Sequence, residues 1–298
     1  MNARGVALRD RIASGDPLLL DGATGTELER RGVATPLPLW SARALQEQPE
    51  AVEAIHLDYA AAGVDALTAN TFRTQRRTLA RGGWEDRAES LTRIAVRTAR
   101  RAAMQDPLAP LFVLGSAPPL EDCYRPDLVP DAATLAGEHS EHARHLADAG
   151  VDAILVETMN HIREAVAATR AAVASGLPTL VSFICWDAAR LLSGEALADA
   201  AAAARDEGAD AVLVNCLPPS NVAICLDVLA SAGLPFGAYA NLGAPDDGAG
   251  FARSEDCTPE AFAAHAASWL AAGACIVGGC CGTTPEHLRA VAKQQGRL

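Results

Sequence analysis

The sequence predicts an α/β protein built as one (β/α)8 barrel, the TIM-barrel architecture, with residues 1–298 forming a single domain. Three observations lead there. Short apolar runs recur along the chain without polar alternation, as expected of parallel strands buried on both faces. A phrase made of a helix end, a glycine, a turn and a strand repeats at Ala61–Thr68, Asp148–Leu155, Asp206–Leu213 and, more loosely, Ala271–Val277. The turn after the first strand, Asp21-Gly22-Ala23-Thr24-Gly25, lacks the G-x-G-x-x-G spacing that a doubly wound nucleotide-binding sheet would need.

In chain order, the strands are expected at Leu18–Ala23, Asp65–Thr71, Leu111–Ser116, Asp152–Thr158, Thr179–Cys185, Asp210–Cys216, Phe236–Asn241 and Cys275–Cys280. Each is a continuous apolar run followed by a polar or cysteine residue. Ala-rich helical segments punctuated by Asp, Glu and Arg are expected near 41–62, 85–105, 133–149, 160–175, 195–207, 221–232, 258–272 and 285–294. The last of these should start with Thr284 as N-cap and Pro285 in the first turn. Eight such units in a chain of 298 residues fill a closed barrel.

Composition narrows the partners. Half of the residues are hydrophobic and only 4% are aromatic, so Ala, Val, Leu and Ile must pack the core. The formal charge of −12 argues against nucleic acid or an anionic membrane surface as the main partner. Arg73, Arg76, Arg77 and Arg81 read as a solvated helix face, as do His139, His142 and His145. No apolar stretch approaches the roughly 18 residues of a membrane span, and no signal sequence is evident. Eight cysteines without a signal sequence suggest reduced thiols or metal ligands, and a cytoplasmic protein is expected.

Chemistry concentrates where barrel strands end. Those positions hold Asp21, Asn70, Thr71, Ser116, Glu157, Thr158, Cys185, Asn215, Cys216, Asn241, Cys280 and Cys281. Three thiolates from Cys216, Cys280 and Cys281 suit Zn²⁺ and leave its fourth position open, which a substrate thiol would complete. Consecutive cysteines on a strand point to opposite faces, so Cys280 and Cys281 can share an ion only if the backbone turns, a freedom that Gly278, Gly279 and Gly282 provide. Asp21 and Glu157 are placed to receive a substrate ammonium group. Cys225 and Cys275 read as packing, Cys123 and Cys257 as loop residues, and Cys185 as packing or a fourth ligand.

With Asn215-Cys216 and Gly278-Gly279-Cys280-Cys281-Gly282-Thr283-Thr284-Pro285 in view, the chain resembles the homocysteine S-methyltransferase family over almost its whole length. Leu20–Leu28, Leu39–Ala42, Pro49–Val52 with His56 and Tyr59, Asn70-Thr71-Phe72 and Glu157-Thr158 also match. The resemblance implies zinc on Cys216, Cys280 and Cys281, with Asp21 and Glu157 binding homocysteine's amino group. Gly22 and Ala23 would take its carboxylate, and Asn70, Thr71, Asn215 and Asn241 would also belong to the substrate-binding set, the last two on the rim or behind the ligands. Trp40 either faces a cationic donor or is ordinary packing.

The implied reaction moves a methyl group to homocysteine from a sulfonium donor, S-methylmethionine or S-adenosylmethionine, in a monomer or homodimer acting on small molecules. Betaine or another donor, and selenocysteine or another thiol as acceptor, are the alternatives. A structural-zinc or redox-thiol barrel, with Cys185 closing the site, is the remaining rival. Two features depart from the family pattern. Strand seven reads Tyr239-Ala240-Asn241 where a proline often precedes the asparagine, and the loop 117–130 does not match those of S-methylmethionine users.

Overall fold

In a computed structural model, residues 3–105, 111–185, 189–243 and 258–298 are described; Cys257 lies outside them. Eight parallel strands run in the order β1-β8-β7-β6-β5-β4-β3-β2. They are β1 (Leu18–Leu19), β2 (Ala66–Ala69), β3 (Phe112–Ala117), β4 (Ala153–Met159), β5 (Thr179–Phe183), β6 (Ala211–Asn215), β7 (Phe236–Ala240) and β8 (Ile276–Gly279). A bridge between Leu20 and Ala66 joins the two ends of the sheet. It is flanked by Asp65 N–H to Leu19 O at 2.8 Å and Asp21 N–H to Ala66 O at 3.1 Å. The barrel expected from the sequence is the one observed.

Side chains two apart on a strand share a face. On the even strands the inward positions therefore climb in three steps. Ala66, Ala153, Ala211 and Ile276 lie lowest, and Thr68, Leu155, Leu213 and Gly278 come next. Asn70, Glu157, Asn215 and Cys280 end the series. The lower positions join Leu18, Leu20, Leu114 and Leu180 in a dry interior cluster. Thr68 apart, the polar residues are thus confined to the last step.

The recurring phrase has a structural reason at the opposite end. Asp65, Asp152 and Asp210 each precede an even strand and accept the N–H of the neighbouring odd strand: Leu19 at 2.7 Å, Val113 at 2.8 Å and Thr179 at 2.8 Å. Helix Ala3–Ser14 lies beneath the barrel, with Leu8 and Ile12 in the interior cluster. From it Arg11, Arg4 and Arg9 reach Asp65, Asp152 and Asp210 respectively. Cys275 takes the equivalent place before β8 and contacts Phe236 O at 3.6 Å.

The helical layer departs from expectation in identifiable places. The segment 41–62 is two helices, Ala42–Glu47 and Pro49–Ala61, because Pro49 has no N–H and drives Gln48 out of the helical region. Three further helices, Ala3–Ser14, Gly25–Arg30 and Arg76–Arg81, are not among those expected. The solvated histidine face is overturned: His139, His142 and His145 are buried where Ala132–Ala149 packs on β3 and on helix Ile162–Ala174. His142 Nε2 lies 3.0 Å from Ser116 O, and His139 Nε2 lies 3.2 Å from Glu164. Pro285–Gln294 starts at Thr284 as expected.

Candidate active site

The upper end of the barrel opens into a cavity of about 1300 Å³. Cys216, Cys280 and Cys281 meet on its wall, with their Sγ atoms all within 4.8 Å of one another. Cys216 Sγ and Cys280 Sγ are 3.0 Å apart. Two backbone features bring them together. Cys216 follows β6 in the left-handed region, at φ 56°, which a non-glycine residue adopts only when its surroundings enforce it. Gly282, at φ 84°, turns the chain directly after Cys281.

Asn215 holds the cluster from behind. Its Oδ1 accepts Thr158 N–H at 3.1 Å and Ser182 Oγ–H at 2.6 Å; its Nδ2 donates to Thr158 Oγ1 at 2.8 Å and Cys216 Sγ at 3.3 Å. Every donor and acceptor of that amide is used. Thr158 is also left-handed, at φ 62°, where the register of β4 against β5 shifts between Val156 and Met159. Such an irregularity re-aims a side chain, here Glu157, into the cavity.

The sulfur set is electrostatically poised. Thiol contacts from Cys216 and Cys281 hold the Cys280 thiol well below its ordinary range, and the same pairing pushes Cys216 up. Tetrahedral zinc with Zn–S near 2.3 Å requires sulfurs about 3.8 Å apart, so a small outward shift of Cys216 from Cys280 would admit it. The donor set and its spacing fit that ion. Cys185 does not belong to the set: it is buried against Cys225, whose thiol contact together with burial pushes it up.

Two buried carboxylates face the same space. Asp21 Oδ2 accepts Thr68 N–H at 2.9 Å, and Glu157 accepts Ser116 Oγ–H and, at 3.0 Å, Tyr239 O–H. Burial pushes Asp21 to about 8, with a contribution from the Glu157 charge, and pushes Glu157 to about 7. A cation entering between them would reverse both shifts.

Other expected residues divide into two groups. Gly22, Ala23, Trp40 and Asn70 line the cavity. A Cβ on Gly22 would come within 2.6 Å of Thr283 Oγ1 and 2.7 Å of Tyr59 Oη, so only glycine fits. Ala23 N–H is turned toward Thr283 Oγ1 at 3.3 Å. Asn70 clamps Ser41 through Oγ–H to Oδ1 at 2.7 Å and Nδ2–H to Ser41 O at 2.9 Å, which anchors the segment carrying Trp40. Thr71, Asn215 and Asn241 are fully buried off the cavity wall. Thr71 Oγ1 donates to Ser116 O at 2.9 Å.

Sequence reasoning assigned no site role to Tyr239, Cys123, Tyr124 or Arg73, all on the cavity wall. Tyr239 was discoverable, since it sits two residues beyond Gly237 on the inward face of β7. Burial and the neighbouring Cys216 thiol push the Tyr124 phenol up, which places that loop residue beside the sulfurs. The arginine reading holds for Arg76 and Arg81, both exposed on helix Arg76–Arg81, whereas Arg73 lies before that helix and lines the cavity, which Arg81 also borders.

The model of the family described as homocysteine S-methyltransferase matches residues 18–295. The chain belongs to that family. Among relatives, the homocysteine S-methyltransferase of Escherichia coli (strain K12) is 34% identical over 95% of this chain and 97% of its own. YbgG, a homocysteine S-methyltransferase of Bacillus subtilis (strain 168), is 30% identical over 92% and 93%. A selenocysteine Se-methyltransferase of Brassica oleracea var. italica is 28% identical over 94% and 89%. The metallated form of the homocysteine methyltransferase MmuM from Escherichia coli superposes with a TM-score of 0.83 at 31% identity, covering 96% of this chain and 99% of that one. As a homocysteine S-methyltransferase family member, this barrel is a methyltransferase.

Proposed function

We propose that this enzyme transfers a methyl group from a sulfonium donor, S-methylmethionine or S-adenosylmethionine, to the sulfur of L-homocysteine, giving methionine. The observation that carries the reading is the convergence of three thiols, within 4.8 Å of one another, with two buried carboxylates on one cavity. Family membership supports the acceptor, and the metallated state of the Escherichia coli relative supports a metal on Cys216, Cys280 and Cys281. Zn²⁺ bound there would supply the means to deprotonate an incoming thiol near neutral pH.

The chain's own residues do the rest. Asp21 and Glu157 take the homocysteine ammonium, and Ser116 and Tyr239 fix the Glu157 carboxylate toward it. The Gly22 and Ala23 amides are assigned the carboxylate, Ala23 exchanging its long contact with Thr283. Substrate held at three points presents its sulfur at the cysteines with one face toward the cavity. The sulfur lone pair forms the new bond to the methyl carbon; the donor's S–CH₃ bond breaks and its electron pair neutralises the sulfonium. Alignment of the two sulfurs about that carbon is the main catalytic contribution. Trp40 and Phe72, ring centroids 6.1 Å apart at 77°, form the aromatic wall against which the cation rests. Every cysteine among the described residues is free, so we assign the protein to the reducing cytoplasm.

The test is an assay of zinc-loaded protein with homocysteine or selenocysteine against S-methylmethionine, S-adenosylmethionine and betaine, with methylated product as the readout. Methionine formation from a sulfonium donor is the expected result. Betaine as the sole productive donor, or turnover in protein stripped of metal, would overturn it.

A further inference from the structure

Among the described residues, three arginines line the cavity: Arg73, Arg81 and Arg125. Arg81 pairs with Glu121, and Arg125 with Asp127 at 2.7 Å. Arg73 has neither a hydrogen bond nor an ion pair among the described residues. Its Nε is enclosed and unpartnered, and its guanidinium lies 5.4 Å from the Phe72 ring centroid. In a chain of net charge −12, a cavity-facing guanidinium without a carboxylate calls for an anionic ligand.

Building on the sulfonium-to-thiol transfer proposed above, we propose that Arg73 receives the carboxylate of the methyl donor, which makes the preferred donor an amino-acid sulfonium. The order of the wall supports the donor over the acceptor. The cysteines and acceptor carboxylates come from the ends of β1, β4, β6 and β8. Phe72 and Arg73 follow β2, next to Trp40, in the aromatic sector that takes the cation. A ligand with its positive sulfur on Phe72 and Trp40 meets the guanidinium with a carboxylate carried on the same short chain. The guanidinium offers two parallel N–H donors to that group, a geometry Lys cannot copy.

The decisive measurement is calorimetric binding of S-methylmethionine and of its carboxamide to the zinc-loaded wild type, Arg73→Gln and Arg73→Lys, with homocysteine titrated separately. A charge-assisted contact of this kind is worth roughly 10- to 100-fold in affinity. We expect the wild type to prefer the carboxylate by that factor, Arg73→Gln to erase the preference, and Arg73→Lys to restore part of it. Homocysteine affinity should stay within about twofold, because its own contacts are elsewhere. A loss of homocysteine affinity instead, an undiminished preference in Arg73→Gln, or no preference in the wild type would each overturn the assignment. Carboxylate-dependent binding without methionine formation would sink the methyl-transfer reading while leaving Arg73 in place.

Discussion

Asn215 and Thr158 are joined twice, Thr158 N–H to Asn215 Oδ1 at 3.1 Å and Asn215 Nδ2–H to Thr158 Oγ1 at 2.8 Å. One amide thereby fastens two strand ends whose neighbouring residues line the cavity: Glu157 before Thr158, and Cys216 after Asn215. Two left-handed residues, Thr158 and Cys216, are in contact with it. Strain at the site is held by this side chain and by Ser182 behind it.

Removing that clamp should loosen the metal set without removing a ligand. In Asn215→Ala we expect zinc affinity to fall by roughly 10- to 100-fold, in the range typical of residues that orient ligands. Competition with a chromogenic chelator measures it. Asn215→Asp should lose at least as much, because it sets a further negative charge against the thiolates. Unchanged affinity in both variants would remove Asn215 from this role.

Metal content separates the cysteines. Cys216→Ala, Cys280→Ala and Cys281→Ala should each bring zinc well below one equivalent by elemental analysis, whereas Cys185→Ala should leave it at one. The Cys185 thiol lies against Cys225, so its removal should be felt as lost packing, about 1 kcal/mol in denaturant unfolding. Zinc loss in Cys185→Ala would revive the closed structural site.

The carboxylate pair sets a pH dependence in two directions. Asp21 and Glu157, at about 8 and 7 in the ligand-free site, hold protons that the unfolded chain has released. Ligand-free stability should therefore fall as pH rises from about 4 toward 8, with each carboxyl contributing a slope of at most about 1.4 kcal/mol per pH step of one. Amino-acid affinity should move the other way, strengthening from pH 6 to 8 as the pair ionises against the ammonium. L-methionine, which has the ammonium but no thiol, is the probe. Asp21→Asn and Glu157→Gln should flatten both curves; parallel slopes in wild type and variants would refute the account.

At the floor of the barrel, Asp152 is fully buried and accepts from Arg4 Nε at 3.2 Å, Arg100 Nη1 at 2.7 Å and Val113 N–H at 2.8 Å. Asp152→Ala leaves two arginines and a strand amide without it. We expect a loss of about 2–4 kcal/mol in denaturant unfolding, with the KM values for both substrates unchanged.

The barrel and the convergence of its three cysteines were legible because their signals are local. Apolar runs report double-sided burial, and Gly278-Gly279-Cys280-Cys281-Gly282 carries both two of the thiols and the turn that unites them. Glu157 and Asp21 were readable from their place at strand ends. Residues fixed by long-range packing escaped. His142 looked solvent-facing on helical periodicity, yet it points at Ser116 O across a helix–strand contact that periodicity does not encode. Tyr124 reaches the sulfurs from a loop with no regular pattern. Asn241 directly follows β7, but its side chain is buried away from the cavity, a matter of orientation that a one-dimensional reading does not carry.

The ring of aspartates under the even strands has a consequence for how such an enzyme can change. Arginines from the first helix knit three strand beginnings together at the pole remote from the sulfurs. The arginine–aspartate pairs and the cavity thus lie at opposite poles of the same three strands. Loops bearing Trp40, Arg73 or Tyr124 are then free to drift toward new methyl sources while the foundation stays fixed.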